Sequence, residues 1–156
     1  MDIKLLRKEA QIPTLGSADA AGYDLYAAIE NSIGPGGTPM AGSIEIPPHE
    51  TRMIPTGIAI AIPVGNWGGI YARSGLATKQ GLRPANCVGV VDADYRGEVF
   101  VALHNDTDNY RYIYNGDRIA QLIFHSALRP VDGFKQVEEL ESTERGEGGF
   151  GSTGLN

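Results

Sequence analysis

Glycine and proline punctuate this chain so densely that a helical fold is excluded before any motif is read. Of its 156 residues, 21 are glycine and 9 are proline. Few uninterrupted windows reach the roughly 11 residues of an ordinary helix with an apolar stripe. The stretches between the breaks alternate instead. Ile44-Glu45-Ile46 alternates, as do Ile58, Ile60 and Ile62 before Pro63, and Val99, Val101 and Leu103. Val88 to Val91 and Ile119 to Phe124 are short apolar runs of strand length. Turn chemistry separates them at Pro47-Pro48, Gly65-Asn66, Arg96-Gly97, Asn105-Asp106 and Asn115-Gly116-Asp117. Many short strands joined this way predict an all-β sandwich, or jelly roll. Asn31 to Ser43, with Gly34-Pro35-Gly36-Gly37, reads as a long surface loop, and no internal repeat is present.

The length suits one domain with a real hydrophobic core, and 42% hydrophobic residues argue against disorder. We expect a β core over residues 1–135 and a connector with a glycine-rich arm over 136–156, because Gln136 to Arg145 is polar and acidic. No apolar run approaches the roughly 18 residues that would span a membrane, and the N-terminus lacks an apolar signal core. A membrane is therefore not an expected partner. The single cysteine, Cys87, excludes an intrachain disulfide framework and is compatible with a cytoplasmic location. A net charge of −6 disfavours a nucleic-acid backbone as partner. It also requires any anionic ligand to meet local basic charge or a divalent cation.

Five segments carry groups suited to chemistry. In Asn86-Cys-Val-Gly-Val-Val-Asp92-Ala-Asp94-Tyr95-Arg-Gly97 a carboxylate directly follows an apolar strand. A general base needs such a post, anchored by buried neighbours yet open to water. On its own the pattern reads first as a hairpin turn, since Asp and Gly are common turn residues. Arg73-Ser74-Gly75 follows the apolar Gly69-Ile70-Tyr71-Ala72 and is able to hold phosphate through guanidinium, hydroxyl and N–H, or is a plain surface turn. Weaker candidates are Asp24, as a hydrogen-bond residue or one touching metal-bound water, and Gln121, facing a water or an α-phosphate oxygen; a purely structural role suits each equally well. Asp117-Arg118 reads as a turn with a local ion pair. The last segment, Arg145-Gly-Glu-Gly-Gly-Phe150-Gly151-Ser152-Thr153-Gly154, combines glycines that let N–H groups crowd an anion, a guanidinium, and a flat aromatic face for a base. That composition suits a lid that excludes water, or a flexible tail. His49, His104 and His125 lack metal-ligand spacing. Trp67 lies between short polar and glycine residues and reads as packing.

Taken in order, Ala21-Gly-Tyr-Asp-Leu25, Arg73-Ser-Gly-Leu-Ala77, Gly89-Val-Val-Asp-Ala-Asp-Tyr-Arg-Gly97, Gly116-Asp-Arg-Ile-Ala-Gln-Leu-Ile123 and Arg145 to Gly154 closely resemble the five motifs of the trimeric dUTPases. The resemblance spans nearly the whole chain. It implies a distorted jelly-roll subunit in a homotrimer with shared active sites, and Mg²⁺-assisted hydrolysis of dUTP to dUMP and pyrophosphate. Such an activity limits uracil incorporation into DNA and supplies dUMP for thymidylate synthesis. By the same resemblance Asp92 activates the attacking water, and Tyr95 packs under the deoxyribose where a 2′-hydroxyl would clash. Asn86 and the backbone of Gly89, Val90 and Val91 read the uracil edge, while Arg73, Ser74 and Gly75 hold phosphates. The terminal arm closes over a neighbouring subunit's site, with Phe150 on the base and Arg145, Gly151, Ser152 and Thr153 on the phosphates. The metal rides on the phosphates, its protein contacts passing through water. Two rivals share the fold. A dCTP deaminase would place a catalytic glutamate on the strand after the third motif, but Val99 to Asn105 carries no carboxylate. A non-catalytic nucleotide-binding trimer would have no need of Asp92, Tyr95 and the complete last motif.

Overall fold

A computed structural model describes residues 1–34, 36, 38–129 and 132–148. The strands run β1 (Asp2–Leu5), β2 (Thr14–Leu15), β3 (Tyr23–Tyr26), β4 (Ser32–Ile33), β5 (Pro39–Met40), β6 (Ser43–Ile46), β7 (Thr51–Pro55), β8 (Ile58–Ala61) and β9 (Asn66–Tyr71). A short helix α1 (Ser74–Gln80) intervenes before β10 (Leu82–Pro84), β11 (Gly89–Val91), β12 (Phe100–Asn105), β13 (Arg111–Tyr114) and β14 (Arg118–Ser126). The jelly-roll expectation holds. All pairings are antiparallel, and the largest sheet has the order β11-β9-β14-β3-β2, facing a smaller β10-β12-β7 sheet and the pairs β6-β13 and β1-β8.

The alternating residues read from the sequence are the ones that meet between the sheets. Ile58 and Ile60 of β8, Val101 and Leu103 of β12, and Ile119 and Leu122 of β14 are all buried, with Leu25, Ile46, Ile54, Leu82 and Ile113. At about 25 cal/mol per Å² of apolar surface removed from water, this shared interior is what holds the short strands together. A polar knot closes it at one end. Asn105 is fully buried; its amide donates to the carbonyls of Ile46, Pro47 and Asn109 at 3.0, 3.1 and 2.8 Å, and its Oδ1 accepts from the N–H and hydroxyl of Thr107. The expected Asn105-Asp106 turn is thus a strand end whose last side chain builds the turn.

Three local expectations change. Asn31 to Ser43 is not one open loop: β4 and β5 pair as a small hairpin within it, Ser32 opposite Met40, and Ser43 already begins β6. Arg73-Ser74-Gly75 is not a plain turn but the start of α1. Arg73 stands extended at its N-cap, and Gly81 ends it in the left-handed conformation at φ 66°. Seven residues with only Leu76 buried offer no apolar stripe to read. Asp117 and Arg118 form no ion pair among the described residues. The Asp117 carboxylate accepts the Tyr114 N–H at 2.8 Å and closes the turn, leaving Arg118 to point elsewhere. After β14, the described residues 127–129 and 132–148 form no strand or helix.

Candidate active site

The third motif folds as a strand, a turn and a loop around one cavity. Antiparallel pairing places Gly89 opposite Ile70, Val90 opposite Gly69 and Val91 opposite Gly68. The strand β11 stands at the edge of its sheet, so one side of its backbone pairs with β9 and the other stays open. The polypeptide enters β11 through a tight turn at Asn86-Cys87, with Cys87 at φ 60° and the Val88 N–H donating to the Asn86 carbonyl. It leaves through Asp92, whose carbonyl accepts the Tyr95 N–H at 3.2 Å. Asn86, Gly89, Val90, Val91, Asp92 and Tyr95 all line a cavity of about 250 Å³. Six of the expected residues are thus brought together by one segment.

Met53, Ile70, Glu98, Val99 and Phe100 complete its walls. Met53 and Ile70 reach the cavity by tertiary folding from β7 and β9, while Glu98, Val99 and Phe100 follow soon after Tyr95 in the chain and carried no signal of a role in the site. Asp92 is exposed, and its carboxylate accepts no hydrogen bond among the described residues. Tyr95 is half-exposed but not loose: its hydroxyl donates to the Glu98 carbonyl at 2.9 Å. Its ring lies against the Gly97 backbone so closely that a Cβ there would fall 2.5 Å from the phenol oxygen and 2.7 Å from Cζ. Only glycine allows that approach.

A second cluster forms on the other motifs. Asp24, on β3, is almost fully buried and faces two guanidinium groups: Arg73 Nε donates to Oδ1 at 2.9 Å and Arg118 Nη1 to Oδ2 at 3.2 Å. Burying a carboxylate requires this pairing. In return the aspartate fixes two cationic side chains, and Arg73 Nη1 also donates to the Arg118 carbonyl at 3.3 Å. Arg118 was not anticipated as a site residue, although it belongs to the fourth motif. Gln121 lies beside them, paired with Asp24 on one side and Tyr71 on the other. Ser74 and Gly75 are exposed in the first turn of α1, where the N–H groups of residues 74–76 have no intrahelical partner.

The two clusters do not meet within one chain. Asp24 is level with Tyr71, and Asp92 follows Val91, which is level with Gly68. The sheet order puts β3 three strands from β11. The separation is therefore about 14 Å across the sheet and about 13 Å along it. Of the expected arm residues, Arg145 is exposed and its Nε donates to the Gly148 carbonyl at 2.8 Å, while Phe150, Gly151, Ser152 and Thr153 lie outside the described residues. No three His, Cys, Asp or Glu side chains converge on a metal position among the described residues, and no helix there is long and apolar enough to cross a membrane.

This arrangement has close parallels. The dUTPase family model matches residues 8–154. The deoxyuridine 5′-triphosphate nucleotidohydrolase of Candida albicans is 43% identical over 156 residues, covering 100% of this chain and 89% of that protein. The mitochondrial human enzyme of the same name is 44% identical over 97% of this chain and 53% of its own length. A dUTPase of Staphylococcus bacteriophage 80alpha, solved with dUpNHpp, superposes with a TM-score of 0.83 at 31% identity, covering 99% of this chain and 98% of that one. The dUTPase of phage phi11 of S. aureus, described as coordinating a structural Mg(II) ion, gives a TM-score of 0.76 at 26% identity over 90% and 98% of the two chains. With matching motifs, matching fold and relatives similar along its whole length, the chain belongs to the dUTPase family.

Proposed function

We propose that the protein hydrolyses dUTP to dUMP and pyrophosphate at sites built between subunits of a homotrimer. The observation that carries the reading is the cavity in which Asn86, the open edge of β11, Asp92 and Tyr95 converge. A flat pyrimidine presents its polar edge to the free backbone groups of Gly89 to Val91 and to the Asn86 amide, between the apolar walls of Ile70 and Phe100. The Tyr95 ring underlies the sugar and leaves no hydrogen-bond partner for a 2′-hydroxyl. Specificity follows because a polar group buried without a partner is disfavoured.

For the chemical step, Asp92 holds a water within hydrogen-bond reach and takes its proton as the oxygen bonds to the α-phosphorus. The bond from that phosphorus to the bridging oxygen breaks, and pyrophosphate departs with the electron pair. The Asp24-anchored Arg73 and Arg118 suit the growing negative charge on the departing oxygens. The donor set fits a hydrated hard cation such as Mg²⁺, because the carboxylate of Asp92 is open and, among the described residues, no soft or nitrogen-rich ligand group converges. When bound with the triphosphate, Mg²⁺ neutralises phosphate charge. The separation of the two clusters supports the shared site. An α-phosphate beside Asp92 lies too far from its own chain's Arg73, so a neighbouring chain must supply the arginines. Arg145, Phe150, Gly151, Ser152 and Thr153 belong in this reading to the segment that covers the bound nucleotide. The test is pyrophosphate release from dUTP, dTTP, dCTP and UTP with Mg²⁺; turnover confined to dUTP is expected, and its absence overturns the reading.

A further inference from the structure

Glu98 stands out because its contacts run in two directions. Its side chain is only 13% exposed and is held from behind: Oε1 accepts the Gly57 N–H at 2.8 Å and Oε2 forms an ion pair with Arg7. Its carbonyl faces forward, toward the cavity, and accepts the Tyr95 hydroxyl at 2.9 Å. Arg7 itself is braced by the Ala28 carbonyl at 3.4 Å. Gly57 is a fixed post: it sits at φ 67°, and an added Cβ would meet Ala10 at 2.7 Å and both Ala28 and Arg7 at 3.0 Å. Next to it, the Thr56 hydroxyl donates to the Val99 carbonyl, and the Val99 N–H donates to Ile58 at 2.9 Å. The loop leaving Asp92 is therefore pinned at its far end by a partly buried carboxylate whose charge is balanced by an arginine 91 positions away in sequence.

We propose that Glu98, held by Arg7, is a positioning residue that sets the height and tilt of the Tyr95 ring, and thereby the choice between deoxyribose and ribose nucleotides. The proposal rests on the dUTP reading of the cavity. A carboxylate stripped of its arginine is left largely out of water with one N–H partner, which favours the side chain swinging toward solvent. Its own carbonyl moves with it. Tyr95 then loses the acceptor that holds its phenol, and the ring is free to withdraw from C2′. Arg7 does not line the cavity, whereas Glu98, which it pairs with, does.

The experiment compares wild type, Arg7→Met, Arg7→Lys, Tyr95→Phe and the double variant Arg7→Met/Tyr95→Phe. For each, kcat and KM are measured on dUTP and UTP, dUMP and UMP affinities by calorimetry, and Tm. Arg7→Met is expected to lower the dUTP-to-UTP ratio of kcat/KM about tenfold, mainly through KM for dUTP and loss of dUMP affinity, while Arg7→Lys restores most of it. Tyr95→Phe removes only the donor at the other end of the same chain of contacts. The double variant should therefore fall no further than the lower single one, since residues in one network are not additive. A dUTP-to-UTP ratio unchanged in Arg7→Met, with only Tm lowered, overturns the proposal, as do independent, multiplying effects in the double variant. If Arg7→Met does not fold, Tyr95→Phe and Arg7→Lys decide it: an unchanged ratio in Tyr95→Phe overturns it. Wild type that releases no pyrophosphate from dUTP overturns the functional reading itself, whereas a selective wild type with an equally selective Arg7→Met removes this proposal alone.

Discussion

Two aspartates of this chain show how surroundings decide what a carboxylate does. Asp24 is buried and has an arginine on each oxygen, so it is committed to structure. Asp92 is exposed at the end of an edge strand, and among the described residues no donor competes for it, so it is available to a water molecule. Replacing Asp92 with Asn keeps the shape of the cavity but removes the proton acceptor. We expect pyrophosphate release from dUTP to fall at least about 10²-fold, the usual scale for a general base, while calorimetric dUTP affinity changes little. Turnover near wild type in Asp92→Asn would move the base role elsewhere. The place of Asp92 at the end of a strand was legible in a local pattern of apolar run, carboxylate and turn, whereas that pattern alone reads first as a hairpin turn and its expected role came from the family resemblance. Glu98 was not, since nothing near it in sequence announces Arg7 or Gly57. Arg118 was misread for the same reason; its true partner lies 94 positions away, while Asp117 next door satisfies a backbone N–H.

Among the elements, those with a period of two were readable and the others were not. Ile58 and Ile60, or Val101 and Leu103, alternate because one face of each strand is buried. By contrast β1 has no fully buried residue, β4 and β5 have two residues each, and α1 buries a single leucine. None of these leaves a periodic trace. The turn after β12 was visible as Asn-Asp, but its logic was not: Asn105 ties three carbonyls from two other segments. Asn105→Ala should cost about 2–3 kcal/mol by orphaning buried acceptors, and thermal unfolding should show Tm lower by about 5–10 °C. A smaller shift than about 2 °C would mean water replaces the amide. Among the described residues, 143–148 hydrogen-bond to one another and to no part of the β core. Deleting the chain after Glu144 should accordingly leave Tm within about 2 °C while kcat/KM on dUTP drops at least about 10²-fold, because water enters the site. Full activity of the truncated protein would reduce the segment to a tail.

On the scale of the whole molecule, a single chain leaves apolar surface without cover. Leu128, Phe134 and Leu140 are 100%, 97% and 88% exposed after the last strand. Isolated apolar side chains are ordinary, and these three stand six positions apart, so the trimer expectation rests on the family resemblance and the shared site. Light scattering is expected to give about 50 kDa, three times the 16.6 kDa chain, with threefold closure. A fully active species of one-chain mass would contradict the shared site. The distance between Asp92 and the Arg73 cluster also has a genetic consequence. Two alleles, one encoding Asp92→Asn and the other Arg73→Ala, should each be inactive alone yet rescue one another when co-expressed. In a ring of three, any mixed assembly contains one junction where an intact Asp92 faces an intact Arg73. Random mixing of equal amounts should then restore about one quarter of the sites, and a heterozygote would survive on chains that are all individually dead.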